Sequence, residues 1–369
     1  MSNSSWPDWL PIRSNLTGMS AYGAPQLPVA VKLNTNENPF GLEKELVDKI
    51  LTGIKEKSAA LNRYPDRDAN QLRALLANFI NKLSNTKFDE HNIWAANGSN
   101  EIIQSIFLAF GRESALGFTP SYSMHPLIAK VTSVDWLDGK RRDDHSLDVA
   151  AAVQQVLAAK PTLTFITTPN NPTGSVVKIS EITELAKAAA DVGGLLVVDE
   201  AYAEFSSETS AATLIAQYPS VIVIRTMSKA FAFAGARVGY LVADPAVIDA
   251  LQLVRLPYHL SAITQAVAEV ALSFSDELLA GVDSLIAQRV IVQTGLAKLG
   301  LSITPSAANF LLVSGFNQPA DQIWQKLLDR GILIRDVGLL GQLRVTIGTA
   351  AENQAFLSAL AQVLAEGDQ

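Results

Sequence analysis

Cysteine is missing altogether from the 369 residues of this chain. No disulfide, thiolate metal site or cysteine nucleophile can form, and a cytoplasmic setting fits. Histidine is nearly as scarce. The four present, His91, His125, His145 and His259, are scattered, so no histidine-rich metal site is expected and no metal is assigned. Positive charge is also in short supply: 29 Lys and Arg stand against 36 Asp and Glu, a formal net charge of −7. A nucleic-acid partner would demand a basic surface. The one compact basic pair, Arg141-Arg142, is followed at once by acids and reads as a solvated face. No stretch approaches the ~18–20 continuous apolar residues of a membrane span, so no membrane partner is expected. Residues 1–7 lack the basic region and apolar core of a signal peptide. GxGxxG, Walker A, GxSxG and HExxH strings are absent as well, which removes the dinucleotide, P-loop, serine-hydrolase and zinc-protease readings.

What is present is a lysine in an unusual setting. The apolar run Val221–Ile224 leads into Arg225-Thr226-Met227-Ser228-Lys229, with Arg237 eight residues beyond the lysine. A lysine that must form an imine needs a low-polarity pocket to depress its pKa. Ser228 and Arg237 beside it suit a phosphate dianion, through a hydroxyl and a guanidinium fork. Imine lysine plus phosphate clamp is the requirement of pyridoxal 5'-phosphate. Upstream, Leu195–Val198 reads as a buried strand with Asp199, Glu200 and Tyr202 at its carboxyl end, the edge at which open α/β sheets bind ligands. A carboxylate there can hold a pyridine nitrogen protonated. The strand Leu163–Thr167 runs into the loop Thr168-Pro169-Asn170-Asn171-Pro172-Thr173-Gly174, whose Asn171 can donate an amide hydrogen to a phenolate oxygen. Asn97-Gly98-Ser99-Asn100 opens a helix with apolar residues at 102, 103, 106, 107 and 110. Gly98 allows close backbone approach, and free amides at such a start receive phosphate. Taken singly, each string has a plain alternative: a solvated lysine, a loop acid or helix cap, an ordinary turn, a simple N-cap.

Strand-like and helix-like segments alternate from about residue 90 to 245, implying a mostly parallel sheet covered on both faces. Strands are expected at Ala115–Phe118, Leu163–Thr167, Leu195–Val198, Val221–Ile224 and Val238–Val242. The pattern breaks near Leu256-Pro257. One long helical stretch is expected over Ala262–Leu299, then strands near Asn309–Val313, Leu333–Arg335 and Leu343–Ile347, with helices near Pro319–Arg330 and from Glu352. That sequence of elements reads as a second, α+β domain.

These strings, in this order, resemble the fold-type I aminotransferases. Together with Asn34-Thr35-Asn36-Glu37-Asn38-Pro39, Arg63-Tyr64-Pro65-Asp66, Ile334-Arg335-Asp336 and Leu343–Gly348, they are similar in wording to the histidinol-phosphate aminotransferases. The resemblance runs from about Leu16 to Glu352. It implies a large pyridoxal-phosphate domain with a mostly parallel seven-stranded sheet over residues 31–257 and a smaller α+β domain over 258–369. An N-terminal arm, 1–30, is expected against the small domain. It implies that Lys229 bonds the cofactor and then moves the substrate proton, that Asp199 pairs with the pyridinium, and that Tyr202 and Asn171 hydrogen-bond the phenolic oxygen. Tyr122 stacks on the ring, and Gly98, Ser99, Asn100, Thr226, Ser228 and Arg237 form the phosphate cup. Tyr64 reaches the partner's cofactor phosphate, which makes the protein a homodimer with shared sites. Tyr22, Tyr258, Arg335 and Arg344 face the substrates, histidinol phosphate and glutamate or 2-oxoglutarate. Two arginine forks suit both a phosphate and a carboxylate. His125 is expected as a polar lining residue. An aromatic aminotransferase and a threonine-phosphate decarboxylase remain alternatives, because fold analogy does not separate them. A regulator built on this domain would need a DNA-binding domain, for which the N-terminus leaves no room.

Overall fold

The alternating apolar and amphipathic segments fold into three sheets, of seven, four and two strands, covered by helices in the computed structural model of the chain, which describes residues 6–367. Residues 1–5 and 368–369 lie outside the described residues, and with them the first positions of the expected N-terminal arm and most of the stretch read for a signal peptide. The chain runs through β1 (Val31–Lys32), α1 (Lys44–Ser58), α2 (Asn70–Ser84), β2 (Ile93–Ala96), α3 (Ser99–Phe110), β3 (Ser114–Thr119), α4 (Met124–Val131) and β4 (Asp135–Lys140). It continues through α5 (Val149–Ala159), β5 (Leu163–Thr167), α6 (Ile179–Asp191), β6 (Leu195–Asp199), β7 (Val221–Thr226), β8 (Gly239–Val242) and α7 (Pro245–Val254). The remainder is α8 (Ala262–Ser273), α9 (Ser275–Lys298), β9 (Ser302–Ile303), β10 (Phe310–Ser314), α10 (Ala320–Asp329), β11 (Ile332–Leu333), β12 (Arg335–Asp336), β13 (Leu343–Thr346) and α11 (Ala350–Ala365).

The large sheet has seven strands in the order β2-β8-β7-β6-β5-β3-β4. Only β8 runs against its neighbours; the others are parallel. This bears out the mostly parallel seven-stranded sheet. Its central strands are buried along nearly their whole length, Leu195 at the start of β6 excepted, which is why they read as continuous apolar runs. Alternation across the pleat divides the core. Val197, Ile222 and Ile224 face the layer of α3, α4 and α7, and Leu196, Val198, Val221 and Val223 face the other side. The smaller sheet has the order β12-β13-β10-β9, with α9 and α10 against it and α11 packed on those two helices.

Several boundaries differ from expectation for local reasons. β6 and β7 outlast their apolar runs and end on Asp199 and Thr226, because ladder pairing continues to Ile224 and to Gly239. The expected long helix is broken at Phe274, whose backbone leaves the helical region (φ −113°, ψ 24°) and closes α8 while opening α9. The strand expected at Leu333–Arg335 changes partner at Ile334: β11 pairs with β1 and β12 with β13. Arg141 is not on a solvated face. It is buried, donating to the carbonyls of Phe118 and His145. Arg13 donates to Ser133, and Asn15 donates to Ser133 and to the Lys130 carbonyl beside α4 of the large domain. Further along, Tyr22 shares the lining of a cleft with Arg335 and Arg344, and β1 pairs with β11. α8 packs on α1 and α2.

Candidate active site

The carboxyl ends of β3, β5, β6 and β7 open onto one cleft of about 390 Å³. The reason is the parallel sheet itself, which sends every loop after a parallel strand to the same edge. Tyr22, Ser99, Asn100, Tyr122, Asn171, Asp199, Tyr202, Thr226, Ser228, Lys229, Arg237, Arg335 and Arg344 all line it. Residues drawn from more than 300 positions of chain thus converge on one space.

Lys229 lies in the turn after β7. Its Nζ donates to the Thr35 carbonyl at 3.0 Å and stands 5.8 Å from the centre of the Tyr202 ring. Burial, seconded by the Arg344 charge, lowers its pKa to about 8. Asp199 is buried at the end of β6. One oxygen accepts from the Ala201 amide and the other lies 3.2 Å from His125 Nε2. The His125 ring, 1% exposed, packs on Phe165 and edge-on to Tyr122. It therefore sits behind Asp199 instead of lining the cleft, and holds the carboxylate in place. Tyr202 follows β6, with its hydroxyl receiving the Asn36 side-chain amide at 2.9 Å. Its phenol pKa is raised, chiefly by burial, so the hydroxyl keeps its hydrogen.

Opposite lies an anion cup. α3 begins at Ser99, and Gly98 at its N-cap has φ +86° and ψ 168°, a region essentially reserved for glycine. A Cβ on Gly98 would come within 2.5 Å of Arg237 Nη2, and one on Gly239 within 2.5 Å of the Ser99 amide nitrogen. Both glycines let backbone, helix start and guanidinium crowd together. The hydroxyls of Thr226 and Ser228 lie 3.0 Å apart, and the Tyr122 hydroxyl donates to Asn100. Free amides, two hydroxyls, a helix dipole and a guanidinium suit a phosphate dianion.

The arginines come from the small sheet, where Arg335 and Arg344 are directly paired across β12 and β13. Arg344 is buried over the Phe310 ring. It donates to Asn171 Oδ1 at 2.6 Å and to the Asn34 carbonyl at 2.7 Å, while its Nε has no partner among the described residues. Burial, seconded by the Arg335 charge and opposed by Tyr202, brings its pKa down to about 10. Because Asn171 Oδ1 accepts from Arg344, its NH₂ is left to face away as a donor. The Arg335 side chain makes no hydrogen bond or ion pair among the described residues. Like charges opposite each other in a ladder repel, and an anion between them resolves the strain. A side chamber of about 120 Å³ adjoins the cleft beside both arginines, edged by Tyr22, Ser121, Tyr122 and Ser123.

Two expected residues stand apart. Tyr64 and Tyr258 are not among the cleft residues. They stack on each other, centroids 4.4 Å apart, at the surface, with Tyr64 79% exposed. Asn34, Thr35, Asn36 and Glu37 do line the cleft without having been assigned roles. Their string was legible only as wording, since no periodicity marks a loop that docks from 190 residues away.

The residues fit a ligand with an aldehyde for Lys229, a basic ring nitrogen for Asp199, a phenolic oxygen for Tyr202 and Asn171, and a phosphate for the cup. The chain belongs to the aminotransferase class I and II family, whose model matches residues 28–360. Within that class its similarity lies with histidinol-phosphate aminotransferases. It is 52% identical over 358 residues to that of Mycobacterium sp. (strain KMS), covering 96% of this chain and 94% of the relative. It is 54% identical over 353 residues to that of Nocardia farcinica (strain IFM 10152), covering 95% and 91%. The crystal structure of the histidinol-phosphate aminotransferase from Clostridium acetobutylicum superposes with a TM-score of 0.82 at 25% identity, covering 91% of this chain and 99% of that one. The Sinorhizobium meliloti enzyme, solved in complex with pyridoxal 5'-phosphate, has the same fold, with a TM-score of 0.85 at 24% identity over 99% and 100% of the chains.

Proposed function

We propose that this protein is a pyridoxal-phosphate-dependent aminotransferase that moves the amino group of histidinol phosphate to 2-oxoglutarate, yielding imidazole acetol phosphate and glutamate in histidine biosynthesis. Curated relatives at 52% and 54% identity over nearly the full length support the activity. The single observation that carries the substrate class is the free guanidinium of Arg335 held opposite Arg344. That pair is a site for a dianion, and both substrates bring one: a phosphate in one half-reaction, two carboxylates in the other. The side chamber is edged by hydroxyls and two guanidinium groups, which suits a polar imidazole phosphate better than a phenyl ring. Arg335, Arg344 and Tyr22 are assigned to this end of the substrate.

Pyridoxal phosphate, when bound, supplies the electron sink that stabilises negative charge on the substrate carbon. The chain's own residues do the rest. Ser99, Asn100, Thr226, Ser228 and Arg237 anchor the phosphate. Asp199, held by His125, keeps the ring nitrogen protonated, and Tyr122 covers the ring face. Tyr202 and Asn171 donate to the phenolic oxygen. Lys229 anchors the cofactor covalently. With its Nζ neutral, Lys229 would also take the proton from the amine-bearing substrate carbon, a positioned transfer worth on the order of 10²–10⁴-fold. The pKa near 8 keeps a useful fraction of that amine neutral. Tyr64 and Tyr258, stacked at the surface away from the cleft, suit a C2 homodimer in which Tyr64 reaches the partner's phosphate cup. Tyr258 is assigned to substrate contact across the same seam. The protein is placed in the cytoplasm with the soluble substrates it uses.

A spectrophotometric half-reaction screen tests the reading. Histidinol phosphate should convert the bound cofactor rapidly, and histidinol without its phosphate slowly. Phenylalanine reacting as fast as histidinol phosphate would shift the function to an aromatic aminotransferase. Carbon dioxide released from threonine phosphate would shift it to the decarboxylase.

A further inference from the structure

Asn36 is a buried residue of the cleft wall whose every polar group is engaged. It has the left-handed φ of +55°, which asparagine tolerates better than most side chains. Its amide nitrogen donates to Thr346 Oγ1 at 3.0 Å, and the Thr346 hydroxyl donates to Asn36 Oδ1 at 3.0 Å. The Asn36 carbonyl accepts from Asn309 Nδ2 at 3.1 Å, and its Nδ2 donates to the Tyr202 hydroxyl oxygen at 2.9 Å. Thr346 lies on β13 of the small domain, two residues beyond Arg344. Tyr202 lies on the large domain, just past Asp199.

The direction of each bond in this chain follows from one group whose role cannot change. A backbone N–H only donates, so Thr346 Oγ1 is the acceptor for Asn36. The single hydroxyl hydrogen of Thr346 is therefore free to go to Asn36 Oδ1. With Oδ1 committed to Thr346, the amide's NH₂ must face Tyr202. With a donor already pointed at the Tyr202 oxygen, the phenolic hydrogen must point elsewhere, and the Tyr202 hydroxyl has no other hydrogen-bond partner among the described residues. We infer that Thr346, acting through Asn36, is a positioning residue that holds the Tyr202 hydroxyl as a hydrogen donor into the cleft.

The consequence concerns the cofactor's phenolic oxygen. A hydroxyl can donate or accept, and only as a donor does it stabilise that oxygen in its ionised form. The inference rests on the assignment of Tyr202 to that oxygen, and it adds what makes Tyr202 act in one sense only. It also ties cofactor tuning to the placement of β13, the strand that brings in Arg344.

The test uses the pH midpoint of the visible absorbance change of the bound cofactor in the complete holoenzyme. Tyr202→Phe should raise that midpoint, and an unchanged value would sink the assignment of Tyr202 and the inference with it. Thr346→Val adds no charge and removes the hydroxyl that passes the backbone donor's direction on to Asn36 Oδ1, so the Asn36 amide loses its preferred orientation. The midpoint should then rise by up to about one unit, the worth of one hydrogen bond. Thr346→Ser restores the hydroxyl and should restore the wild-type midpoint. Asn36→Asp, which keeps the left-handed backbone but offers Tyr202 only an acceptor, should raise it furthest and gives a reading if Thr346→Val does not fold. In a Tyr202→Phe background, Thr346→Val should add nothing. A folded, cofactor-loaded Thr346→Val enzyme with the wild-type midpoint would overturn the inference. So would a shift that persists undiminished without the Tyr202 hydroxyl.

Discussion

Replacing Gly98 with alanine should separate the phosphate cup from the rest of the cofactor site. Gly98 sits at φ +86° and ψ 168°, where a Cβ is strained by on the order of 1–3 kcal/mol. The new methyl would also lie 2.5 Å from Arg237 Nη2, against 3.4 Å for ordinary contact, so that nitrogen must retreat by about 1 Å. It can do so, because it is the end of a flexible side chain, and the protein should therefore fold. The retreat withdraws a charged hydrogen bond from the phosphate, worth about 1.5–3 kcal/mol, so cofactor affinity should fall roughly 10–150-fold. The assay is titration of the apoprotein with pyridoxal phosphate and, separately, with pyridoxal, which has no phosphate. Gly98→Ala should weaken the first strongly and the second little. Arg237→Ala should show the same selectivity, and Gly98→Ala should add little to it, because every close contact of the new methyl is with Arg237. Equal losses for the two ligands would refute the reasoning, since the change would then act through the fold and not through the cup.

Three further outcomes are expected. Because Lys229 has a folded-state pKa near 8 against an ordinary 10.5, covalent capture of the cofactor by the apoprotein should rise with pH up to about 8 and then level off. A stopped-flow rate that keeps climbing to pH 10 contradicts the depressed lysine. Arg225 is buried between Glu200, at 2.8 Å, and Glu204, at 3.0 Å, on the sheet face away from Asp199 and Thr226. Arg225→Met would leave those acids without a counter-charge, which typically costs about 3–5 kcal/mol, and a denaturant midpoint close to wild type would show that the pair is dispensable. Inactive Tyr64→Ala subunits mixed with inactive Lys229→Ala subunits should regain activity, because one site of the mixed dimer is then whole; sedimentation of the active enzyme as a monomer rules this out.

The parts of this protein written in local chemistry were readable from the chain alone. Buried parallel strands must be apolar on both faces, so Leu163–Thr167, Leu195–Val198 and Val221–Ile224 announced themselves. The residues just past them, Asn171, Asp199 and Lys229, could be placed at one sheet edge because parallel connections leave no other choice. The lysine–serine–arginine spacing carried a phosphate and an amine together, and the absences of cysteine, excess positive charge and long apolar runs removed most competing functions. What waited for the tertiary structure were relations between distant segments. Nothing local to Asn36 says that it meets Tyr202 and Thr346, 166 and 310 residues away. Nothing near His125 says that its ring ends behind Asp199. Arg335 and Arg344 looked equivalent as two arginines near strand ends, yet packing binds one to Asn171 and Asn34 and leaves the other free. The physical reason is the same in each case. Side-chain type and spacing determine which secondary structure forms and which chemistry is available, whereas burial, hydrogen-bond direction and pKa depend on neighbours that only the folded chain brings within a few ångströms.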